Sequence, residues 1–164
     1  MEAQTNIPHV LERLRTCVPE PRTEKLLFED ATRTDLECEG ARVRPAADEA
    51  ERARGGWVLD IDGDAVGFGG ILFHYNPPYG DVYMEVQQAE RGRGYGSYLV
   101  QELKRICREG GGVPAARCDP DNVASCRTLE RAGFAVCGEI VAGAVGEDFL
   151  GSWVLGSEGP GRAT

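Results

Sequence analysis

Histidine is scarce in this chain, and paired metal-type cysteines and long apolar runs are missing. Only two histidines, His9 and His74, occur in 164 residues, and neither lies near a pair of cysteines. The six cysteines are Cys17, Cys38, Cys107, Cys118, Cys126 and Cys137, and no Cys-x-x-Cys occurs among them. A zinc site is built from such pairs, so no metal is expected. Cys107, Cys118, Cys126 and Cys137 fall in apolar or regular contexts, where a reduced thiol packs as a small hydrophobe. The longest apolar run, Ala65 to Phe73, spans nine residues and is broken by three glycines. A membrane helix needs roughly 20 apolar residues, so no membrane partner is expected. The opening MEAQTNIPHVLERLR has no basic segment followed by an apolar core. No signal peptide is therefore expected, and the expected setting is soluble and cytoplasmic.

What is present fits one packed domain. Apolar residues make up 41% of the chain, enough for a core and too many for a disordered protein. The net charge of −9 is unevenly spread: residues 1–80 carry −6, residues 81–134 balance to zero, and residues 135–164 carry −3. An acidic chain repels phosphate backbones, which disfavours a nucleic-acid partner. The neutral middle is where an anionic ligand would be tolerated.

Ile7, Val10, Leu11 and Leu14 recur at helical spacing and predict a short amphipathic helix over 6–17, ended by Pro19 and Pro21. Such a helix would cover the core or mediate a homodimer. Strands are expected over Lys25–Asp30 and Ala41–Arg44, and a short helix over Ala47–Arg54. Trp57–Ile61 and Ala65–Tyr75 flank Asp62-Gly63-Asp64, a hairpin signal. Asn76-Pro77-Pro78-Tyr79-Gly80 reads as a second turn, followed by a strand over Asp81–Gln87. Leu99, Val100, Leu103, Ile106 and Cys107 mark one face of a helix that stops at Gly110. A strand over Pro114–Cys118, a helix over 123–132 capped by Asn122, and strands over Phe134–Val141 and Phe149–Leu155 complete the order β-β-β-α-β-α-β-β. This order predicts an α/β (α+β) fold, one mixed sheet with helices on its faces.

The stretch ERGRGYGSYL, Glu90 to Leu99, joins a strand to a helix through three alternating glycines. It lacks the GxxxxGK of a Walker loop. A dinucleotide fingerprint is supported by Gly92 and Gly94 but has Ser97 at its last position, and antiparallel strands precede it. The remaining pattern is Arg91-x-x-Gly94-x-Gly96. Bare glycines let an anion approach the backbone, and the unpaired first-turn N–H groups of the helix would face it. Arg91 and Arg93 can add charge-assisted bonds. A plain strand-to-helix turn needs about one glycine, not three in alternation, which favours the anion reading.

Two stretches, VYMEVQQAERGRGYGSYLVQELKRI and DPDNVASCRTLERAGF, resemble the GNAT superfamily of acetyl-CoA-dependent N-acetyltransferases. The matching residues are Val86, Arg91, Gly94, Gly96, Asn122, Ser125, Gly133 and Phe134. The resemblance implies a GNAT-like, mostly antiparallel central sheet flanked by helices. It implies a domain over 41–157 and an extension over 1–40; the terminal composition predicts a disordered tail over 158–164. It also implies that the loop Arg91, Gly92, Arg93, Gly94, Tyr95, Gly96 and Ser97 cradles the pyrophosphate of acetyl-CoA. Backbone groups of Val86 and Gln88 would pair with the pantetheine arm, and Asn122 and Ser125 would line it near the sulfur. A bulge would splay the Val86 strand from its neighbour and open a cleft. Asn122 has a simpler role available as a helix cap, and Ser125 as a small packing residue.

The implied reaction is direct attack of a primary amine on the thioester. An alkylammonium with a pKa near ~10.4 must first lose a proton, to a carboxylate or an ordered water chain. Asp81, Tyr83 and Glu85 alternate onto one strand face, and Glu85 is the expected base. The resemblance assigns the oxyanion donor to the Val86 N–H. Many members carry a Tyr seven residues after the Asn as acid for the leaving thiolate; here that position is Leu129. The acceptor is expected to be a small molecule or a peptide, and acidity outside the loop favours a cationic one. The alternatives are a catalytically silent acyl-CoA-binding module and a nucleotide-binding module using the same loop. His74 and Tyr75 would border the acceptor.

Overall fold

The computed structural model describes residues 2–5, 7–18, 20–29 and 34–144. The strand expected over Phe149–Leu155 and the tail over 158–164 lie outside the described residues. No helix among the described residues is long and apolar enough to cross a membrane. The described chain forms two compact units, one from residues up to 24 together with those from 138 onward, the other from residues 25–137.

In the first unit, β1 (Glu2–Thr5) is a strand the sequence did not announce. It pairs antiparallel with the end of β8 (Phe134–Ala144), from Glu2 opposite Ala144 to Thr5 opposite Val141. α1 (Pro8–Cys17) starts two residues later than the periodicity suggested. The reason is Pro8: a proline is pre-set for the first helical position, where its missing N–H has no intrahelical role. Leu14 and Val18 are buried with Val141, and Leu11 packs beside them. Ile7, counted on the apolar stripe, is half-exposed at the N-cap. Arg15 reaches Glu139 at 2.7 Å.

The second unit holds the main core. β2 (Arg22–Glu29), β3 (Ala41–Pro45), α2 (Glu49–Arg54), β4 (Trp57–Ile61) and β5 (Asp64–Asn76) come first. β6 (Tyr79–Val86), α3 (Tyr95–Glu109), β7 (Val113–Cys118) and α4 (Val123–Arg131) follow. The strands lie in the order β2-β7-β6-β5-β4-β3. Only β6 and β7 run parallel; the other neighbours are antiparallel. The expected mixed, mostly antiparallel sheet with flanking helices is therefore present. The β4–β5 turn has positive φ at Asp62 (52°) and Gly63 (96°). That is the conformation a tight two-residue hairpin requires, and Asp and Gly supply it. The second turn is shorter than the sequence suggested: Tyr79 and Gly80 already belong to β6, and only Pro77 and Pro78, which break the ladder, lie outside the strands.

α3 packs its Leu99, Val100 and Leu103 stripe with Val82 of β6 and Leu59 of β4. The close approach depends on β5. A Cβ at Gly69 would stand 2.8 Å from Leu103 Cδ1 and 2.6 Å from the Tyr83 carbonyl oxygen. Asp48 caps α2 by accepting from the Glu51 N–H, and Arg44 clamps α2 to the sheet through Glu51 (2.8 Å) and Asp60 (2.6 Å). Lys104 is buried in α3; its Nζ donates to the Ala132 carbonyl at 2.5 Å and faces the Phe134 ring. Burial pushes its pKa down.

Candidate functional site

The site is built on a divergence of strands. β6 and β7 pair only from Tyr79 opposite Val113 to Asp81 opposite Ala115. Past that point β6 continues to Val86 along β5, while β7 continues to Cys118 along β2. A gap therefore opens between two strands that began side by side. The expected bulge is not in this part of β6: its register with β5 is unbroken from Asp81 opposite Leu72 to Val86 opposite Gly67. The shift falls instead between Leu72 and Asn76. The gap thus opens by loss of the parallel ladder, with the antiparallel one intact.

The backbone of Val86 faces this gap. Gln87 N–H donates to the Val66 carbonyl at 2.9 Å. In an antiparallel ladder the polar groups of successive residues point to opposite sides. Val86 therefore turns its N–H and C=O away from β5. The C=O is capped by Arg91 Nε at 3.1 Å, and the N–H stands at the rim of the gap.

After one 3-10 turn over Gln88–Glu90, the chain enters the glycine loop. Gly92 has φ 80° and Gly94, the N-cap of α3, has φ 87°. Both conformations strain any residue with a Cβ. Among the described residues, the backbone N–H groups of Gly92 to Ser97 meet no protein acceptor. They are donors at the positive end of a 15-residue helix. Gly96 is bare for another reason: a Cβ there would lie 3.1 Å from Thr128 Cγ2 and 3.6 Å from Met84 and Val86 side-chain atoms. Its absence lets α3, α4 and β6 converge beside the gap.

The side chains of the loop divide the work. Arg93 pairs with Glu90 at 3.1 Å. Its pKa is raised, first by a bond with the Tyr95 side chain and then by Glu90. The Ser97 hydroxyl is buried and donates to the Thr128 carbonyl at 3.1 Å, which leaves its amide as the group the residue can offer. Arg131 was not singled out from sequence. Its guanidinium lies across Gly94, 3.7 to 3.8 Å from where a Cβ would stand. Thr128 and Arg131 are three apart on α4 and so share a face. Recognising that face needed the contact with α3, which is not local.

Asn122 accepts from the Ser125 N–H at 3.0 Å and caps α4, so its side-chain oxygen has the simpler role. Ser125 is half-buried beside it. On the sheet face that carries Asp81, Tyr83 and Glu85, Asp81 is held by Arg117 Nε at 2.8 Å, at the branch of β6 and β7. Tyr83 lies over Gly70, whose Cβ would stand 2.6 Å from its hydroxyl. The Glu85 side chain is 60% exposed, 3.9 Å from Arg54, and Arg54 stacks on Phe68 at 3.6 Å. Glu85 is the carboxylate of that strand face without a close clamp, at the residue next to Val86. Leu129 is buried in the core, so the family's usual Tyr position points inward here. The side chains of His74 and Tyr75 lie outside the described residues.

Comparison with known proteins bears on the fold and the family. The model of the acetyltransferase (GNAT) family matches residues 11–134. No curated protein matches the chain. Among solved structures, a GNAT-family acetyltransferase from Colwellia psychrerythraea superposes with a TM-score of 0.64 at 16% identity, covering 86% of this chain and 63% of that one. A GNAT-family protein from Novosphingobium aromaticivorans, described as a putative acetyltransferase, gives 0.61 at 18%, covering 76% and 64%. A GCN5-related N-acetyltransferase from Sphaerobacter thermophilus gives 0.60 at 16%, covering 87% and 58%. The chain thus spans about three fifths of the length of these neighbours, and at such identities they attest the fold alone. The family model carries the further step: with most of its length matched, from the helix before the sheet to the Phe134 that opens β8, the chain belongs to the GNAT acetyltransferase family.

Proposed function

We propose that this chain is an N-acetyltransferase that moves the acetyl group of acetyl-CoA to a primary amine by direct attack. One observation carries the reading: the Val86 N–H faces a gap between β6 and β7 beside a helix start whose amides, Gly92 to Ser97, have no protein acceptor. The donors fit a diphosphate, since the loop offers N–H groups, no obstructing Cβ at 92 or 94, and guanidinium groups from Arg91 and Arg131.

In this reading the pantetheine arm lies along the free edge of β6, bonded to Val86 and Gln88, with Asn122 and Ser125 on its other side. The amine approaches from the face carrying Glu85. Glu85 takes the proton, directly or through water, and frees the lone pair for attack. The Val86 N–H donates to the oxyanion of the tetrahedral intermediate, which collapses by expelling the CoA thiolate. A thiolate, with a pKa of roughly 8.5, needs little help to leave, so the buried Leu129 does not stop the reaction. Acidity outside the loop favours a cationic amine as acceptor. The cytoplasm, where thiols stay reduced, suits the free cysteines of the described chain.

Leu129 also favours a second reading, an acyl-CoA-binding module without turnover. A thiol-release assay across small amines and amine-bearing peptides separates the two. Release with at least one amine supports transfer. CoA binding without release across the panel supports the silent module. In an active chain, Glu85→Gln lowers kcat by the 10²–10⁴-fold typical of a lost general base while CoA affinity holds. Arg91→Ala weakens CoA binding. Absence of any CoA binding would overturn both readings.

A further inference from the structure

Two thiols that the proposed transfer does not use meet where β7 ends and α4 begins. Cys118 is the last residue of β7, and Cys126 lies in the first turn of α4. Their Sγ atoms stand 2.8 Å apart. Both are free thiols and both are buried, 7% and 5% exposed.

The two sulfurs are unequal. Lys25 Nζ is 3.7 Å from Cys126 Sγ, and α4 begins just before that residue. An ammonium and the positive end of a helix suit the sulfur that carries charge as it attacks an oxidant. Cys118 is held protonated: burial, then its bond to Cys126, pushes its thiol up to about 12.

We propose that Cys118 and Cys126 form a peroxide-oxidisable dithiol that closes to a disulfide between the end of β7 and the start of α4. The Cys126 sulfur attacks one oxygen of hydrogen peroxide. The O–O bond breaks, Cys126 becomes a sulfenic acid, and the other oxygen leaves as water with the proton of the Cys126 thiol. The Cys118 sulfur then attacks the sulfenic sulfur. The S–S bond forms, the S–O bond breaks, and the hydroxyl leaves as a second water with the Cys118 proton. Two thiols and one peroxide give one disulfide and two waters. The sulfurs need to approach by only about 0.8 Å to reach a bond length near 2.05 Å. The ring so closed contains the Asp119–Asn122 turn, which Asp119 already braces by accepting from the Asp121 N–H. Any thiol reductant reopens it by exchange.

The test uses the full reduced chain, treated with hydrogen peroxide, alkylated and cleaved after arginine. Cys118 and Cys126 fall in one fragment, CDPDNVASCR, residues 118–127. The expected result is that this fragment from oxidised protein is lighter by two hydrogens and takes no alkyl group. Dithiothreitol before alkylation restores two alkylation sites. Cys118→Ser leaves Cys126 as a sulfenic acid that dimedone traps. Full alkylation of the fragment after peroxide, or a bond from either cysteine to a different one, overturns the proposal. The wild-type measurement needs no variant to fold, and its outcome is independent of whether the chain transfers acetyl groups.

Discussion

Replacing each glycine of the loop in turn by alanine separates three physical roles that the sequence presents as one pattern. Gly92 and Gly94 adopt φ 80° and 87°. An L-residue held in the left-handed region costs about 1–2 kcal/mol. Neither position adds a clash: nothing lies within 4 Å of a Cβ at 92, and at 94 the Arg131 guanidinium is at ordinary contact distance. The strain therefore stands alone. At roughly 2–4 °C per kcal/mol for a chain of this size, each variant melts ~2–8 °C lower. Gly96 is already helical, where alanine is favoured over glycine by about 0.8–1.0 kcal/mol. Against that gain stands the 3.1 Å contact with Thr128 Cγ2, which must yield by a few tenths of an ångström. Gly96→Ala thus stays within about 1 kcal/mol of the parent. The ligand response differs as well. Gly94→Ala tilts the amides that follow it, so CoA titrated calorimetrically binds more weakly than to Gly96→Ala. Thermal melts and calorimetry on the three variants check both orders. A Gly94→Ala protein with unchanged melting temperature and unchanged CoA affinity would refute the reasoning.

Arg44 holds Glu51 at about 2, chiefly through their side-chain hydrogen bond and then the Ala47 N–H. A carboxyl depressed on folding stabilises fully above its unfolded pKa of about 4.5 and loses that contribution as pH falls through the folded value. Urea midpoints are therefore expected to drop between pH 4.5 and 2, less steeply in Glu51→Gln. Asp81→Asn and Arg117→Gln each remove one partner of the half-buried ion pair at the strand branch. Each is expected to cost roughly 1–3 kcal/mol by chemical denaturation, with the double variant losing less than the sum. Arg131→Ala is expected to weaken CoA binding and to flatten its dependence on salt while leaving the unfolding free energy within about 0.5 kcal/mol of the parent. Equal salt slopes for variant and parent would remove Arg131 from the site.

Much of the fold was readable because its signals are local. Alternation and the Asp62-Gly63 turn marked β4 and β5, the apolar stripe from Leu99 to Cys107 marked α3, and Asn122 and Gly133 bracketed α4. β1 escaped because Glu-Ala-Gln-Thr has no apolar alternation and few strand-forming residues; its pairing with β8 makes it a strand. At the site, the spacing of the glycines placed the strand-to-helix loop and the start of α3. Arg131 over Gly94, Arg54 on Phe68, and Cys118 beside Cys126 join residues far apart in sequence or on different elements. The parting of β6 from β7 is likewise a property of three strands at once, and no stretch of ten residues encodes it. Ser97 shows the converse: the motif pointed to it, and packing had already engaged its hydroxyl with Thr128.

The bare middle of β5 works as a gauge. Because no methyl group at Gly69 separates the sheet from Leu103, α3 packs directly on the bare backbone of β5. A single added carbon there would stand 2.6 Å from the Tyr83 carbonyl of β6, and that backbone cannot swing aside as the tip of Leu103 can. The adjustment would fall on the pairing of β5 with β6, the strand that ends at Val86, although no residue of the loop itself had changed.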